Sequence, residues 1–263
     1  MEIHPTALVD PKAELGQGVK VGPFAIIERD VVIGADSEIG AYARIDSYTT
    51  MGRGCRIFPY ASIGSAPQDL KFKGEKSELI IGDGTAIREY ATVNRGTEAG
   101  GGVTRIGENC FLMAYTHVAH DCLLGKNVIM TNAATLAGHV VLSDHVIVGG
   151  LTAVLQFVKV GENAFLAGMS GIAKDIPPFV FASGNTAVLY GLNQIGLKRH
   201  GFAEEEISAL KKAYRIVFRS HLTKAEALKQ ARVEVPQLPR VMYFLQFIET
   251  SQKGVPRHGS GEK

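Results

Sequence analysis

The run Ala114–Cys122, AYTHVAHDC, brings His117, His120 and Asp121 within a few residues of one another. A histidine beside a carboxylate is the usual general base, and activating a hydroxyl needs little more. Eighteen residues past His120 stands Gly138, followed by His139, and eighteen further stands Gln156. A glycine offers its N–H with no side chain in the way, as an oxyanion donor requires. A lone turn histidine is more often a satisfied surface residue than a base. The adjoining Asp121, with His117 and His139 nearby, shifts the reading of His120 toward chemistry.

What could set residues eighteen apart side by side is a repeat, and the chain carries one. Stepping by six from Ile3 gives Val9, Leu15, Val21, Ile27, Ile33, Ile39, Ile45, Met51, Ile57 and Ile63. The register resumes at Ile81, Ile87 and Val93, then runs one residue out of phase from Ile106 through Val118, Leu136 and Val154 to Ile172. All 26 sites are Ile, Leu, Val or Met, although those types fill only 69 of 263 positions, so chance is excluded. The site four residues later is mostly small or β-branched, as at Ala7, Ala25, Ala43, Thr116 and Thr152. A period of six fits no helix. It fits three-sided β-coils of eighteen residues whose aliphatic and small side chains point into a narrow prism. Glycines after the aliphatic site, such as Gly16, Gly34 and Gly107, read as tight corners. Cys55, Cys110 and Cys122 all fall on small inward sites, so they read as structural. Three is also an odd number, which makes no disulfide framework.

The repeat stops at Pro177-Pro178. The division expected is therefore a coil over 1–176 and a linker with a helical domain over 177–263. Glu204–Ser220 has an apolar stripe at Ile207, Leu210, Tyr214 and Val217. Thr223 suits the cap of a second helix to about Val233, and Pro239 the start of a third through Ile248. The end, GVPRHGSGEK, reads as a frayed tail.

Charge excludes some classes. The net charge of +2 gives no support for a broad phosphate-reading nucleic-acid surface. Residues 1–196 carry 15 Lys/Arg against 19 Asp/Glu, and residues 197–263 carry 13 against 7. An acidic partner or a phosphate is expected at that basic quarter. No apolar run is long enough to span a membrane. MEIHPTALVD lacks a basic flank and apolar core, so no secretory signal is expected and a reducing, cytoplasmic setting is the default.

Two excursions, 65–80 and 99–104, break the hexads. Insertions on one side of a solenoid are often its binding side. Counting by eighteen puts His120 three coils beyond residue 65 and one beyond residue 101, so both loops leave at the edge that carries His120, Gly138 and Gln156.

The segments QDLKFKGE (68–75), NRGT (94–97), AHDC (119–122), NAATLAGHV (132–140), GNTAVLYG (184–191) and GLKRHGF (196–202) resemble the hexapeptide-repeat UDP-N-acetylglucosamine O-acyltransferases. The resemblance covers essentially the whole chain. It implies an all-β solenoid plus α, namely a left-handed parallel β-helix of hexapeptide repeats with a C-terminal helical domain. It also implies a cytoplasmic homotrimer with active sites between subunits. The implied reaction is the first step of lipid A synthesis, moving an (R)-3-hydroxyacyl chain from acyl carrier protein to the 3-position of UDP-N-acetylglucosamine. No cofactor or metal is implied, the donor being the carrier's phosphopantetheine arm. His120 matches the general base, Asp121 the residue that orients it, and Gly138 the oxyanion donor. Asp69, Lys71, His117, His139 and Gln156 match groups holding the sugar, the acyl chain or the pantetheine. Asn193 and Arg199 match nucleotide and phosphate contacts, and Gly168 the stop of an acyl-length ruler. Glycine there leaves the groove open, which implies a donor of about C14 over C10. Without the resemblance, Gly168 reads equally as a turn glycine needed for backbone freedom.

The chain departs from the family pattern at Leu155 (VLQF for VHQF), Ile195 for a glutamate, His200 for an arginine, and Asn94 where HRGT is common. Those departures leave open an acceptor with a 3-amino group, which would give an amide. A later N-acyltransferase of the same pathway carries a uridine-binding domain ahead of its coil, whereas coiling here starts at Ile3. A γ-class carbonic anhydrase-like zinc protein would want His-x4-His on one edge, a spacing none of the eight histidines has. A purely structural solenoid would not need two excursions beside an AHD cluster.

Overall fold

The computed structural model describes residues 1–259. Its strands, mostly two residues long, stack into three parallel faces of a prism. The first face has eleven strands, from Glu2–Ile3 to Val188–Leu192. The second has nine, from Leu8–Val9 to Gly171–Ile172. The third has eight, from Glu14–Leu15 to Lys159–Val160. Successive coils pair aliphatic on aliphatic: Ile63 with Val93, then Val118, Leu136, Val154 and Ile172. Nearly all of these side chains are fully buried. Burying one aliphatic side chain stabilises by roughly 1.5–3 kcal/mol, so stacked side chains hold a face that two-residue strands could not.

The small inward sites work by a second rule. Hydroxyls there donate to backbone carbonyls, of a neighbouring coil for Thr85 Oγ1 (Gly107 O, 2.9 Å) and Thr152 Oγ1 (Ala167 O, 2.7 Å), or of their own coil for Thr116 Oγ1 (Met113 O, 2.9 Å). A polar group there is satisfied rather than stranded. The cysteines are fully buried, and burial pushes Cys110 up to about 11 and Cys122 to about 12, so neither is a ready thiolate.

The corners differ from expectation. Among the described residues, left-handed φ falls on nineteen non-glycine residues, three positions past the aliphatic site, including Tyr42, Asn109 and Asp121. The expected corner glycines serve close approach instead. A Cβ on Gly34 would lie 2.5 Å from the Gly52 backbone, and one on Gly107 2.3 Å from Gly125 O.

Both excursions leave between the second and third faces. The first runs from Ser62–Ser65 to Glu78–Ile81, so the third face resumes at Glu78, inside the span expected to be irregular. The second joins Thr92–Asn94 to Val103–Ile106 through a short 3-10 turn at Glu98–Gly100. Each loop is part of one long coil. Ser65 pairs with Asn94, one coil below Ala119, so His120 is two coils beyond residue 65, not three. Counting by eighteen failed because the inserted residues add length without height.

Beyond Pro177-Pro178 the first face continues through Val180–Ser183, parallel to Phe165–Leu166, and then turns antiparallel at Val188–Leu192. Four helices follow: α1 (Gln194–Arg199), α2 (Glu204–Arg219), α3 (Lys224–Glu234) and α4 (Pro239–Thr250). The hairpin and α1 were not anticipated. Ile207, Leu210 and Tyr214 of α2 are buried and Val217 is half-buried. Thr223 and Glu226 form a reciprocal capping box, and Pro239 opens α4 where its missing N–H has no cost. The tail is not frayed as far as Gly259. Arg257 and Gly259 hydrogen-bond the Leu189 backbone, while His258 meets Tyr214 Oη at 2.9 Å and accepts from Arg219 Nε at 2.9 Å. Residues 260–263 lie outside the described residues. No helix among the described residues is long and apolar enough to cross a membrane.

Candidate active site

His120 follows the second-face strand His117–Val118 and sits at the corner leading to Leu123–Leu124 of the third face. We refer to this corner of every coil as the histidine edge. Asp121 takes the left-handed position of the turn, with φ 60°. Its Oδ2 lies 2.7 Å from His120 Nδ1. A carboxylate only accepts, so Nδ1 carries the hydrogen and Nε2 is left as the bare, basic nitrogen.

The second excursion exists to hold that carboxylate. Thr97 N donates to Asp121 Oδ1 at 2.8 Å, and Thr97 Oγ1 donates to Oδ2 at 2.7 Å. Gly100 N in turn donates to Thr97 Oγ1. A Cβ on Gly100 would fall 2.0 Å from the Asp121 carboxyl carbon, so only glycine lets the loop close over it. From below, Asp121 N donates to Thr104 Oγ1 at 2.8 Å. Asp121, Thr97 and Thr104 are all buried. Sequence reasoning gave Thr97, Gly100 and Thr104 no role, although Thr97 ends the quoted NRGT run.

Gly138, one coil above, is glycine for a related reason. A Cβ there would lie 2.7 Å from His120 Cε1 and 2.9 Å from Nε2, so the imidazole stands over its α-carbon. No backbone acceptor takes the Gly138 N–H among the described residues. The bare nitrogen and a free N–H therefore share one small space. His139 stacks on Phe157 at 4.4 Å and presents an edge to His120 at 5.2 Å. His117, one strand before His120, meets Thr92 Oγ1 at 2.7 Å. Burial, helped by the charge that His120 can carry, lowers its pKa, which keeps it neutral beside His120.

His120, Asp121 and His139 bring possible metal-ligand atoms within 4.8 Å of one another. Asp121 Oδ2 already accepts from Thr97 Oγ1 and His120 Nδ1, and His139 Nε2 stays 3.7 Å away. With both contacts of that oxygen used, the set suits an oriented base better than a cation.

The other expected residues fall in three places. Gln156 is exposed on the histidine edge, one coil above Gly138. Asp69 and Lys71 lie on the first loop, where Asp69 Oδ1 accepts from Lys71 N at 2.9 Å, and Leu70 between them is wholly exposed. Asn193 and Arg199 lie elsewhere. Asn193 caps α1 through Gly196 N and donates to Asn163 O, which tethers α1 to the edge between the third and first faces. Asn163 there also meets His200 Nδ1, and His200 packs on His145 at 4.5 Å. Gly168 stands on the remaining edge, between the first and second faces. Its φ is not left-handed, so backbone freedom does not demand glycine there, although a Cβ would sit close to the Gly150 backbone, 3.1 Å from O and 3.7 Å from N. One chain thus distributes the expected site over three edges.

A family model described as Udp N-acetylglucosamine O-acyltransferase, Domain 2, matches residues 175–256, and the bacterial transferase hexapeptide model matches residues 12–47 and 104–138. The chain is 52% identical to the acyl-[acyl-carrier-protein]–UDP-N-acetylglucosamine O-acyltransferase of Janthinobacterium sp. (strain Marseille), over 97% of this chain and 99% of that one. It is 54% identical to the protein of the same name from Alkalilimnicola ehrlichii, over 97% and 99%. Among solved structures, UDP-N-acetylglucosamine acyltransferase from Campylobacter jejuni superposes with a TM-score of 0.93 at 43% identity, covering 98% of this chain and all of that one.

Proposed function

Because the chain belongs to the UDP-N-acetylglucosamine O-acyltransferase family, with a coil of the left-handed kind, we propose that His120 drives its reaction as general base. The enzyme moves an (R)-3-hydroxyacyl chain from acyl carrier protein to the 3-hydroxyl of UDP-N-acetylglucosamine, the first step of lipid A synthesis, in the cytoplasm. The observation that carries the mechanism is the Asp121–His120 pair, at 2.7 Å, beneath the free N–H of Gly138.

His120 Nε2 takes the proton of the sugar hydroxyl as its oxygen attacks the thioester carbon. The carbonyl oxygen gains charge and turns to the Gly138 N–H, which stabilises the tetrahedral intermediate. When that collapses, the pantetheine sulfur leaves and recovers the proton from His120. Asp121, fixed by Thr97 and Gly100, stabilises the imidazolium formed between the two transfers. Asp69, Lys71, His117, His139 and Gln156 hold the sugar, the acyl chain or the pantetheine arm, and Asn193 and Arg199 contact the nucleotide and its phosphates. No further cofactor is needed, so a chelator should leave turnover unchanged. A loss of activity restored by zinc would favour a metal reading instead.

Expected site residues on three edges of one prism meet when copies assemble, and a homotrimer with sites between subunits does this. Carrier protein, which is acidic, docks on the basic helical quarter. Lys211, Arg215 and Arg219 line a cavity of about 370 Å³ with Tyr190 and Tyr214. Lys212 and Arg219 are tied to Glu234 and His258, so Lys211→Glu with Arg215→Glu is the cleaner test. The pair should raise KM for the carrier protein at low salt. The effect should shrink as salt shortens the screening length to ~10 Å at 0.1 M. An unchanged KM at low salt places the docking face elsewhere.

A further inference from the structure

The edge between the first and second faces carries a column of rings that takes no part in the proton transfers. Phe24, Tyr42, Tyr60, Tyr90 and Tyr115 stack at 5.0–5.1 Å, with the four tyrosines within 5° of parallel. Each takes the left-handed corner position of its coil. The lower four are 47–49% exposed and Tyr115 is 62% exposed. Above Tyr115 the same position is filled by Ala133, Leu151 and Met169, the last two exposed. The column therefore ends at Tyr115, with Tyr90 under one face and only Ala133 above the other.

The three edges differ in kind. This aromatic edge shows its rings and, above them, Leu151 and Met169 to solvent, with the Arg88–Glu89 ion pair beside Tyr90. The histidine edge shows Leu155, Phe157 and, on its loop, Leu70 to solvent. The third edge turns on Asp36, Asn109, Asn127, His145 and Asn163. A closed ring needs two unlike adhesive surfaces on every copy. The aromatic and histidine edges supply them, and the second face lies between. Gly168 is on the aromatic edge and His120 on the histidine edge, so an acyl chain touching both spans two copies.

Rotation about an axis parallel to the coil leaves height along it unchanged. Tyr115 precedes His120 in the same coil, about 1.3 Å lower at ~4.8 Å of rise per turn. In a ring it stands across the groove at the height of the neighbour's His120. The oxyanion donor Gly138 is one coil higher, and the acyl chain runs upward toward Gly168. What lies level with His120 is the acceptor sugar. Resting on the proposed trimer, we infer that Tyr115 of one subunit offers its uncovered ring face to the sugar bound at His120 of the next. A ring face against the C–H surface of a pyranose is a contact of the kind that aromatic side chains favour.

Tyr115→Ala should raise KM for UDP-N-acetylglucosamine about tenfold, with kcat and the carrier-protein KM within about twofold of wild type. Tyr115→Phe keeps the ring and should behave as wild type, and Tyr60→Ala, far below, should leave KM unchanged. The decisive form mixes subunits. Chains with His120→Ala and chains with Tyr115→Ala, separately tagged and co-expressed, are purified through both tags. If Tyr115 acts across the interface, a component with wild-type KM reappears, because one groove pairs an intact His120 with an intact Tyr115. Mixed trimers showing only the raised KM, or Tyr115→Ala with an unchanged KM, would overturn the inference while leaving the trimer standing. A monomer by light scattering overturns both. Should Tyr115→Ala not fold, Tyr115→Leu carries the same comparison with the column's bulk retained.

Discussion

Turnover of His120→Ala is expected to fall by at least ~10²-fold, the lower end for loss of a general base. KM for both substrates should change little, because the group acts on a proton rather than on binding. The fold should survive. The ring lies outside the prism and its removal leaves the aliphatic stack from Val93 through Val118 to Leu136 intact. Loss of the imidazole also leaves Asp121 Oδ2 with its Thr97 donor, so no buried charge is stranded. Circular dichroism and turnover on one preparation check both halves. A folded variant keeping more than about a tenth of wild-type turnover would remove His120 from the base role, since that is under the ~10²-fold such groups supply.

Acyl length should follow Gly168. Wild type should favour a C14 donor over C10, and Gly168→Met should reverse the preference while sparing the chemistry. Each methylene laid in an apolar groove contributes roughly 0.8 kcal/mol, so four can separate the two donors by ~10²-fold. The substitution needs only a small backbone adjustment, because the glycine φ is not left-handed and an added Cβ would lie 3.1 Å from Gly150 O and 3.7 Å from Gly150 N, a contact that a shift of a few tenths of an ångström relieves. The left-handed strain of that corner sits on Met169, at φ 58°. Competition between C10 and C14 carrier proteins reads the ratio directly. Equal use by wild type, or no shift in the variant, would end the groove elsewhere, with the exposed Met169 as the first alternative.

The coil was legible because its core contacts recur every six residues, and each aliphatic side chain reports its own face. Helices α2, α3 and α4 were legible from an apolar stripe, a Thr-x-x-Glu box and a helix-opening proline. The hairpin at Val180–Leu192 was hidden because two prolines end the hexads although the first face does not end there. The six residues of α1 are too few to show a period, so the capping role of Asn193 was not legible. The tail reads as polar and mobile in composition, yet it is held by backbone bonds that side-chain types do not reveal. The same limit applied at the site. His120, Asp121 and Gly138 stand on one column at coil spacing, so the period placed them together. Thr97 and Gly100 reach Asp121 through a loop whose length is off the period, so no counting rule could place them over the carboxylate.

Acyl transfer to a sugar oxygen is tested by mass spectrometry of the product. The enzyme would receive (R)-3-hydroxyacyl carrier proteins of several lengths with equal amounts of UDP-N-acetylglucosamine and its 3-amino analogue. The predicted product is UDP-N-acetylglucosamine bearing one 3-hydroxyacyl group, near C14, on an ester that hydroxylamine cleaves. Exclusive formation of the hydroxylamine-stable amide would contradict the hydroxyl acceptor, and no transfer to either sugar would contradict the account as a whole.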